Sequence, residues 1–266
     1  MGGHMSTFET IRTHRDGDVL VVTLNRPDRL NAAPPAMFDE IRAAIADLSG
    51  ARAVLIAGEG RAFCSGADLM GGALAPGQDP GEATYKALTD HYSPAMLALA
   101  ELDVPVVSAV RGAAAGIGCS LALAADFVVA SETAYFLQAF VNIGLVPDGG
   151  ASWMLPRLIG RARAAEMMML GERVGADKAL DWGMVHKVVA DDALDAEALA
   201  LATRLAAGPT RALGGIRRNL HAALDGSYAE ALQREAEVQR DMRGTEDSME
   251  GGMAFLQKRK AEFKGR

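Results

Sequence analysis

Clusters of glycine near the ends of predicted strands constrain this chain more than any other feature of its sequence. They fall at residues 58–60, 66–77, 112–118 and 144–150. The first cluster closes an apolar run at 53–57, and the third follows a run at 104–110. Glycine permits tight turns and lets one backbone approach another group closely. The pattern therefore predicts strands that end in closely packed loops.

Short apolar runs alternate with stretches of helical spacing over most of the chain. Met37, Ile41, Ile45 and Leu48 recur at helical spacing, and the segments at 117–125 and about 151–170 also predict helices. Strands are predicted at 19–24, 53–57, 104–110, 127–130, 133–137 and 184–189. This alternation indicates an α/β fold.

The C-terminal quarter of the chain has a different pattern. From about residue 191 the spacing is helical to the end, with an interruption at Gly208 and Pro209. We therefore expect a core at 5–208 and a helical C-terminal region at 209–266. Residues 1–4, Met-Gly-Gly-His before Met5, resemble an expression remnant and are left out of the predicted core.

Composition and charge exclude several classes of function. A net charge of −7 argues against a nucleic-acid binder, which normally carries a basic face. No apolar run approaches the roughly 18 residues that span a membrane, and no secretory signal opens the chain. Cys64, Cys119 and the histidines form no metal-binding spacing, so no metal is expected. A cytoplasmic location fits these observations.

Two familiar motifs are incomplete. Ser65 would be the nucleophile of a hydrolase elbow only with glycine two residues before and after it, and Phe63 and Ala67 stand there. Gly116 and Gly118 supply the first two glycines of a dinucleotide fingerprint, but position 121 is leucine and no acidic residue follows at the required distance.

Two backbone segments and one acidic residue remain as candidate catalytic groups. Segments 60–68 and 112–118 each offer free N–H groups, and two such donors that converge form an oxyanion hole. Asp148 lies in a Pro-Asp-Gly-Gly turn before a predicted helix. It is either a turn or N-cap residue, or a carboxylate whose pKa an apolar pocket raises toward that of a general base.

Six segments in order resemble the crotonase (enoyl-CoA hydratase/isomerase) superfamily: residues 25–32, 61–69, 105–112, 116–126, 144–150 and 252–259. The resemblance covers nearly the whole chain. It implies a spiral of ββα units with a C-terminal helical region that forms a homotrimer or a dimer of trimers. It also implies an acyl-CoA thioester as substrate, so that coenzyme A enters with the substrate and no separate cofactor is needed.

The same resemblance implies where the thioester lies. Its carbonyl oxygen would accept hydrogen bonds from the backbone N–H groups of Ser65 and Ile117. The adenine and pantetheine would run along Arg29, Ala62 and the loop that contains Ser65, Gly66, Ala67 and Asp68. Phe255 and Lys258 of a neighbouring subunit would close over the nucleotide end. The acyl pocket would be lined by Leu69, Met70, Leu74, Tyr92, Met96 and Phe140.

Departures from the family pattern reduce the number of family reactions that this chain could catalyse. Family hydratases position water with two glutamates, and this chain has Ser120 and Phe140 at those positions. Phenylalanine transfers no proton and serine is a poor acid–base group at neutral pH. Asp148 is left as a single acid/base, as in isomerase-like members of the family. The sequence therefore predicts an enzyme that converts a 3-enoyl-CoA to a 2-enoyl-CoA.

Three alternatives stay open. The first is a hydratase in which Ser120 or Asp148 holds the water. The second is a hydrolytic acyl-CoA dehalogenase with Asp148 as nucleophile and His91 as its assistant, although such enzymes have tryptophan where Phe140 stands. The third is a protein that binds CoA thioesters without turnover.

Overall fold

The computed structural model describes residues 8–68 and 77–266, where strands and helices alternate as predicted. Its strands are β1 (Ile11–Asp16), β2 (Val19–Leu24), β3 (Ala53–Gly58), β4 (Val106–Val110), β5 (Ala113–Ala115), β6 (Phe127–Ser131), β7 (Tyr135–Leu137), β8 (Val174–Gly175) and β9 (Lys187–Val189). Its α-helices are α1 (Pro35–Ala46), α2 (Pro80–Ala87), α3 (Ser93–Ala100), α4 (Ile117–Leu123), α5 (Ala151–Leu170), α6 (Ala176–Asp181), α7 (Leu194–Ala206), α8 (Thr210–Ala223), α9 (Tyr228–Arg243) and α10 (Glu246–Leu256).

The strands form two mixed sheets. The first has six strands in the order β1-β2-β3-β4-β6-β9, in which only β1 and β2 are antiparallel. The second has the order β5-β7-β8. After β3 the chain places successive strands in different sheets: β4 and β5 are followed by α4, and β6 and β7 by α5. This is the predicted repeat of ββα units.

Three strands were not predicted from the sequence. β1 has the sequence IRTHRD, and only Ile11 is buried, because this strand forms an edge of the first sheet. β5 is three alanines between glycines, and β8 has two residues. None of them carries the β-branched alternation by which a strand is recognised.

The inner strands of the first sheet are buried on both faces. Along β3, Val54 and Ile56 face the main core, while Ala53 and Leu55 face a second core formed with α7. α7 presents alanines at 198, 202 and 206 to the sheet. Their spacing of four places these small side chains on one side of the helix, so the helix lies close against the strands. Burial on two faces explains the unbroken apolar runs of these strands.

The C-terminal helices are attached to the core by α8. Arg217 is buried and donates to the Asp126 carboxylate at 2.8 Å and to the carbonyl oxygens of Ala100 and Leu102, each at 2.8 Å. No helix in the described part of the chain is long and apolar enough to cross a membrane.

The prediction of helix to the end of the chain is wrong after Leu256. The Asp247 carboxylate accepts hydrogen bonds from the N–H groups of Lys264 and Gly265, at 2.7 and 2.8 Å. Arg259 forms an ion pair with Glu250. These contacts turn residues 257–266 back along α10 in place of a further helical turn.

Candidate active site

Two loops that follow neighbouring parallel strands meet at the carboxyl edge of the first sheet. One loop leads from β3 to residue 68, and the other joins β4 to β5. The Cys64 N–H donates to the Ala113 carbonyl oxygen, and the Ala115 N–H donates to the Cys64 carbonyl oxygen, both at 2.9 Å. The two glycine-flanked segments that the sequence singled out therefore converge.

Gly66 changes the direction of the backbone groups in the first loop. The Ser65 N–H donates to the Leu30 carbonyl oxygen at 3.0 Å, and the Asp68 N–H donates to the Ala33 carbonyl oxygen at 3.0 Å. N–H groups three residues apart point to opposite sides in a regular strand, so the alternation is broken between them. Gly66 has a φ of +113°, a value that glycine adopts readily, and this conformation changes the direction of the backbone.

The same change turns the Ala67 N–H toward solvent. The Ala33 N–H donates to the Gly66 carbonyl oxygen at 2.8 Å, and the Ala33 carbonyl oxygen accepts from the Asp68 N–H. On the side of the loop that faces Ala33, the backbone groups are therefore already paired. The Ala67 N–H points to the other side, and it donates to no backbone oxygen of the described residues. Ala67 is exposed. Ser65, in contrast, has its N–H in use within the chain.

The second predicted donor opens α4. Ile117 is the first residue of this helix, so its N–H has no acceptor within the helix. α4 lies directly on the first loop, since a Cβ at Gly118 would come within 2.6 Å of Cys64 side-chain and backbone atoms. The Ile117 N–H is thus held beside the loop that contains Ala67.

The segment that contains Asp148 packs against α4. A Cβ at Gly149 would come within 2.4 Å of the Ile117 side chain and 2.8 Å of that of Ser120. The Ser120 hydroxyl donates to the Asp148 backbone carbonyl oxygen at 2.9 Å. Asp148 is not the N-cap of α5, because Gly150 occupies that position. The Ala151 N–H donates to the Asp148 carbonyl oxygen at 3.1 Å, so Asp148 does begin a turn, but its carboxyl group does not cap the helix.

The Asp148 carboxyl group has the environment of an acid/base. Its Oδ1 atom is buried and has no hydrogen-bond partner among the described residues. Burial raises the pKa of this carboxyl group from 3.8 to about 6, because the ionised form loses hydration. A pKa near 6 lets one carboxyl group both take and return a proton close to neutral pH.

Phe140 lies against Gly116, the glycine between β5 and α4. It is part of a 3-10 helix at Ala139–Ile143, and its ring would be 3.6 Å from a Cβ at Gly116. Its half-buried ring is an apolar surface beside the two loops.

Tyr92 contributes a contact that sequence reasoning missed. A π-helical turn at Leu88–Tyr92 joins α2 to α3. The Tyr92 hydroxyl donates to the Ala33 carbonyl oxygen at 2.9 Å, which also accepts from Asp68. Burial, and then the nearby Asp148 charge, raise the pKa of Tyr92. The sequence analysis placed Tyr92 in the expected acyl pocket, and nothing in its spacing indicated this bond.

A buried polar network also supports the first loop. Arg26 pairs with Asp68 at 2.8 Å. The buried Asn31 side chain donates to the carbonyl oxygens of Glu59 and Ala62, at 3.0 and 2.8 Å. Both Arg26 and Asn31 belong to the 25–32 segment that carried part of the family resemblance, which was the available signal for their importance.

The residues predicted to hold the nucleotide are only partly brought together. Arg29 is exposed at the end of a 3-10 helix, and the Ser65 hydroxyl donates to its carbonyl oxygen at 3.4 Å. Ala62 is buried, and the Asp68 side chain is engaged by Arg26. Three residues predicted to line the acyl pocket, Leu69, Met70 and Leu74, lie outside the described residues.

Phe255 and Lys258 lie on the C-terminal region. Phe255 is 82% exposed at the end of α10, a helix that contacts α9. The tail beyond it returns to the core, where Arg52 donates to the Phe263 carbonyl oxygen at 3.2 Å. Contact of Phe255 and Lys258 with the nucleotide of a neighbouring subunit stays a prediction.

Other candidate groups have structural partners. His91 Nδ1 lies 2.6 Å from the Asp39 carboxylate on α1. The thiols of Cys64 and Cys119 are fully buried, and burial raises their pKa values to about 11 and about 12. Within residues 8–68 and 77–266, no three histidine, cysteine or acidic side chains are placed to hold a metal ion.

The chain matches the family model described as Enoyl-CoA hydratase/isomerase over residues 14–266. It is 41% identical to a protein of Rhodobacter capsulatus named probable enoyl-CoA hydratase, over 98% of this chain and 100% of that protein. It is 38% identical to the 1,2-epoxyphenylacetyl-CoA isomerase of Escherichia coli, over 97% and 100% of the two chains.

A solved structure agrees with these matches. The crystal structure of a putative enoyl-CoA hydratase from Streptomyces coelicolor superimposes with a TM-score of 0.92 at 34% identity, and the match covers 100% of this chain and 98% of that one. The two sheets and the C-terminal helices therefore form the α/β crotonase fold. The chain belongs to the enoyl-CoA hydratase/isomerase family of acyl-CoA enzymes.

Proposed function

We propose that this enzyme moves a carbon–carbon double bond in an enoyl-CoA thioester, with Asp148 as its single acid/base. The observation that carries the proposal is the buried Asp148 carboxyl group, which has an unpartnered Oδ1 atom and a pKa raised to about 6. A carboxyl oxygen without a hydrogen-bond partner among the described residues is free to bond to a substrate proton. The relative named 1,2-epoxyphenylacetyl-CoA isomerase is consistent with isomerase chemistry on this scaffold.

The oxyanion hole in this proposal uses Ala67 and Ile117. The N–H group of Ser65, the donor that the resemblance implied, is bonded to Leu30. The N–H group of Ala67 points away from the side of the same loop that faces Ala33, and α4 begins with Ile117 beside it. Two backbone donors hold a developing negative charge without depending on side-chain identity.

The reaction then proceeds in two proton transfers. The Asp148 carboxylate takes the proton from C2 of a 3-enoyl-CoA, and the electrons move onto the thioester oxygen to form a dienolate. The N–H groups of Ala67 and Ile117 hold that oxygen. Protonated Asp148 returns the proton at C4, which leaves the double bond between C2 and C3. The carboxylate is regenerated, so no other reactant is needed.

Hydration is the second candidate, favoured by the name of the Rhodobacter capsulatus relative. It needs a group that holds and splits water. Phe140 has no such group, and the Ser120 hydroxyl already donates to the Asp148 carbonyl oxygen at 2.9 Å. Dehalogenation is less well supported, because His91 is bonded to Asp39 on α1.

The test compares Asp148→Asn with wild type on a 3-enoyl-CoA and, separately, on a 2-enoyl-CoA. The absorbance of the conjugated thioester reports both reactions. We expect wild type to form the conjugated product and Asp148→Asn to lose about a hundredfold or more in kcat, as for removal of a general base. The matched control is Asp192→Asn at an exposed position, which should keep the wild-type rate.

Two results would contradict the proposal. One is rapid loss of the 2-enoyl absorbance in wild type that persists in Asp148→Asn, which would identify a hydratase with a different acid/base. The other is tight binding of both thioesters, measured by calorimetry, with no turnover of either, which would identify a protein that only binds CoA thioesters.

A further inference from the structure

The segment that carries Asp148 has a single hydrogen bond to the core of the molecule. The Ser120 hydroxyl donates to the Asp148 carbonyl oxygen at 2.9 Å. Among the described residues, the other hydrogen bonds of residues 146–150 run only to the first turn of α5. Leu145 and Val146, just before Asp148, are exposed. The position of this segment therefore depends on few contacts.

The backbone after Asp148 does not fix the direction of its carboxyl group. Gly149 and Gly150 both have positive φ, +60° and +84°. Glycine adopts such values about as readily as negative ones, so this pair allows the preceding residue several orientations. Contacts with α4 select one of them, because Gly149 packs on the side chains of Ile117 and Ser120.

The Ser120 hydroxyl links two segments instead of serving its own helix. Ser120 is fully buried in the middle of α4. A serine in a helix commonly bonds to the carbonyl oxygen four residues earlier, whereas this hydroxyl donates to Asp148. Ser120 lies three residues after Ile117, within one helical turn. One turn of α4 thus joins the proposed oxyanion donor to the segment that carries the acid.

We infer that Ser120 is a positioning residue that holds the Asp148 carboxyl group within reach of C2 and C4 of the thioester. The inference rests on the proposed function, because Ser120 acts only through Asp148. The hydroxyl gives up no proton in the reaction, since its O–H group is used in the bond to the Asp148 carbonyl oxygen. Removal of this hydroxyl should therefore slow turnover and leave substrate binding unchanged.

The experiment measures kcat and KM on a 3-enoyl-CoA for wild type, Ser120→Ala and Ser120→Cys. Alanine removes the hydroxyl, whereas cysteine keeps a side chain of similar size with only a weak donor. Both variants should lose about tenfold to a hundredfold in kcat, the usual cost of a reacting group displaced by about 1 Å. KM should stay within about twofold of wild type, because uniform binding is not affected.

Calorimetry with butyryl-CoA, a saturated ester that cannot isomerise, separates this effect from loss of folded protein. Its stoichiometry counts the intact sites, so kcat is expressed per intact site. Its Kd should be the same in wild type and in both variants, because the Ser120 hydroxyl bonds to the Asp148 segment and not to the loop with Ala67.

Ser108→Ala is the matched control. Ser108 is a fully buried serine of β4, and its hydroxyl has no hydrogen-bond partner among the described residues. The substitution removes a buried hydroxyl without breaking a hydrogen bond, so kcat and KM should stay at their wild-type values.

Three results would overturn the inference. The first is a wild-type kcat per intact site in Ser120→Ala. The second is a loss in Ser120→Ala that is absent in Ser120→Cys, since side-chain volume would then hold the segment. The third is a loss of kcat with an equal weakening of butyryl-CoA binding, which would place the effect at the thioester donors.

These results differ from failure of the proposed function. That failure is seen in Asp148→Asn, as wild-type turnover without the carboxyl group. If only the inference about Ser120 is wrong, Asp148→Asn is inactive and Ser120→Ala is fully active.

Discussion

Three aspartates that pack near the first sheet, at different ends of its strands, differ in the partners of their carboxylates. Asp68 pairs with Arg26 at 2.8 Å, and Asp126 pairs with Arg217 at 2.8 Å. Asp148 has a raised pKa and an unpartnered oxygen. Paired carboxylates hold the fold together, whereas an unpaired buried carboxyl group destabilises it when ionised. Among the described residues, the unpartnered Oδ1 atom of Asp148 is what distinguishes this carboxyl group from the two paired ones.

This difference gives a pH dependence of stability. The pKa of Asp148 is about 6 in the folded chain against 3.8 for the free group, so the folded state binds the proton more tightly. The resulting stabilisation is complete below pH 3.8 and is lost as pH rises through 6. The amide that replaces this carboxyl group in the variant Asp148→Asn does not ionise, so its contribution to stability stays constant over this range.

We therefore expect Asp148→Asn to gain stability relative to wild type as pH rises from 4 to 7. The measurement is the free energy of unfolding in urea at several pH values for both proteins. Asp192→Asn serves as the control, and its difference from wild type should stay flat. A difference that is also flat for Asp148→Asn would show that burial does not perturb this carboxyl group.

Among the helices and strands, α4 has the largest effect on where the groups of the proposed site lie. This helix carries Ile117 at its start and Ser120 at its centre, and it is held against Cys64 by the absence of a side chain at Gly118. The π-helical turn at Leu88–Tyr92 adds a second support, through the bond from Tyr92 to Ala33. The loop with Ala67 is thereby fixed from both sides.

Gly118→Ala should therefore disturb the site. Its Cβ would lie 2.6 Å from Cys64 atoms that include the backbone, so the loop must move. Overpacking of this kind costs about 1–3 kcal/mol. Gly252→Ala is the matched control in α10, where a Cβ meets nothing within 4 Å and helix propensity adds up to about 1 kcal/mol.

Urea unfolding and kcat on the 3-enoyl-CoA measure both effects. We expect Gly118→Ala to lose stability and activity together, and Gly252→Ala to lose neither. If Gly118→Ala were as active and as stable as wild type, close packing of α4 on the Cys64 loop would not position the donors.

At the scale of the whole molecule, the predicted boundary at residues 208–209 falls between α7 and α8. Arg217 crosses this boundary to reach Asp126, Ala100 and Leu102, and Asp225 accepts hydrogen bonds across it from Trp153 and Arg157. Strong contacts across a boundary make two segments unfold together. The division into a core and an oligomerisation region, and the trimer itself, stay predictions.

Arg217→Met should destabilise the chain by about 2–3 kcal/mol, somewhat less than the usual cost of breaking a fully buried ion pair because the Asp126 side chain is 23% exposed. Arg218→Met is the neighbouring control. Arg218 forms an exposed ion pair with Asp103, and its loss should cost at most about 1 kcal/mol. Urea unfolding measures both variants. Equal effects of the two substitutions would show that the buried pair does not join the helices to the core.

The sequence by itself determined the class of fold, the main strands and helices, and the family. These follow from local periodicity, from continuous apolar runs, and from family motifs that occur in the expected order. All of these signals lie in residues that are close together in the sequence. Through the family resemblance the sequence also predicts that Asp148 is the acid left where Ser120 and Phe140 replace glutamates. The short strands β5 and β8 could not be predicted from the sequence. Their few residues are extended only because they pair with β7.

The tertiary structure was needed to see which backbone N–H groups of the two loops have acceptors and which carboxylates are paired. The direction of an N–H depends on φ at Gly66 and on the bonds that Leu30 and Ala33 accept from this loop. The pKa of Asp148 depends on burial by residues far away in the chain. Both quantities are set by contacts between distant segments, and the order of residues along one segment does not contain them.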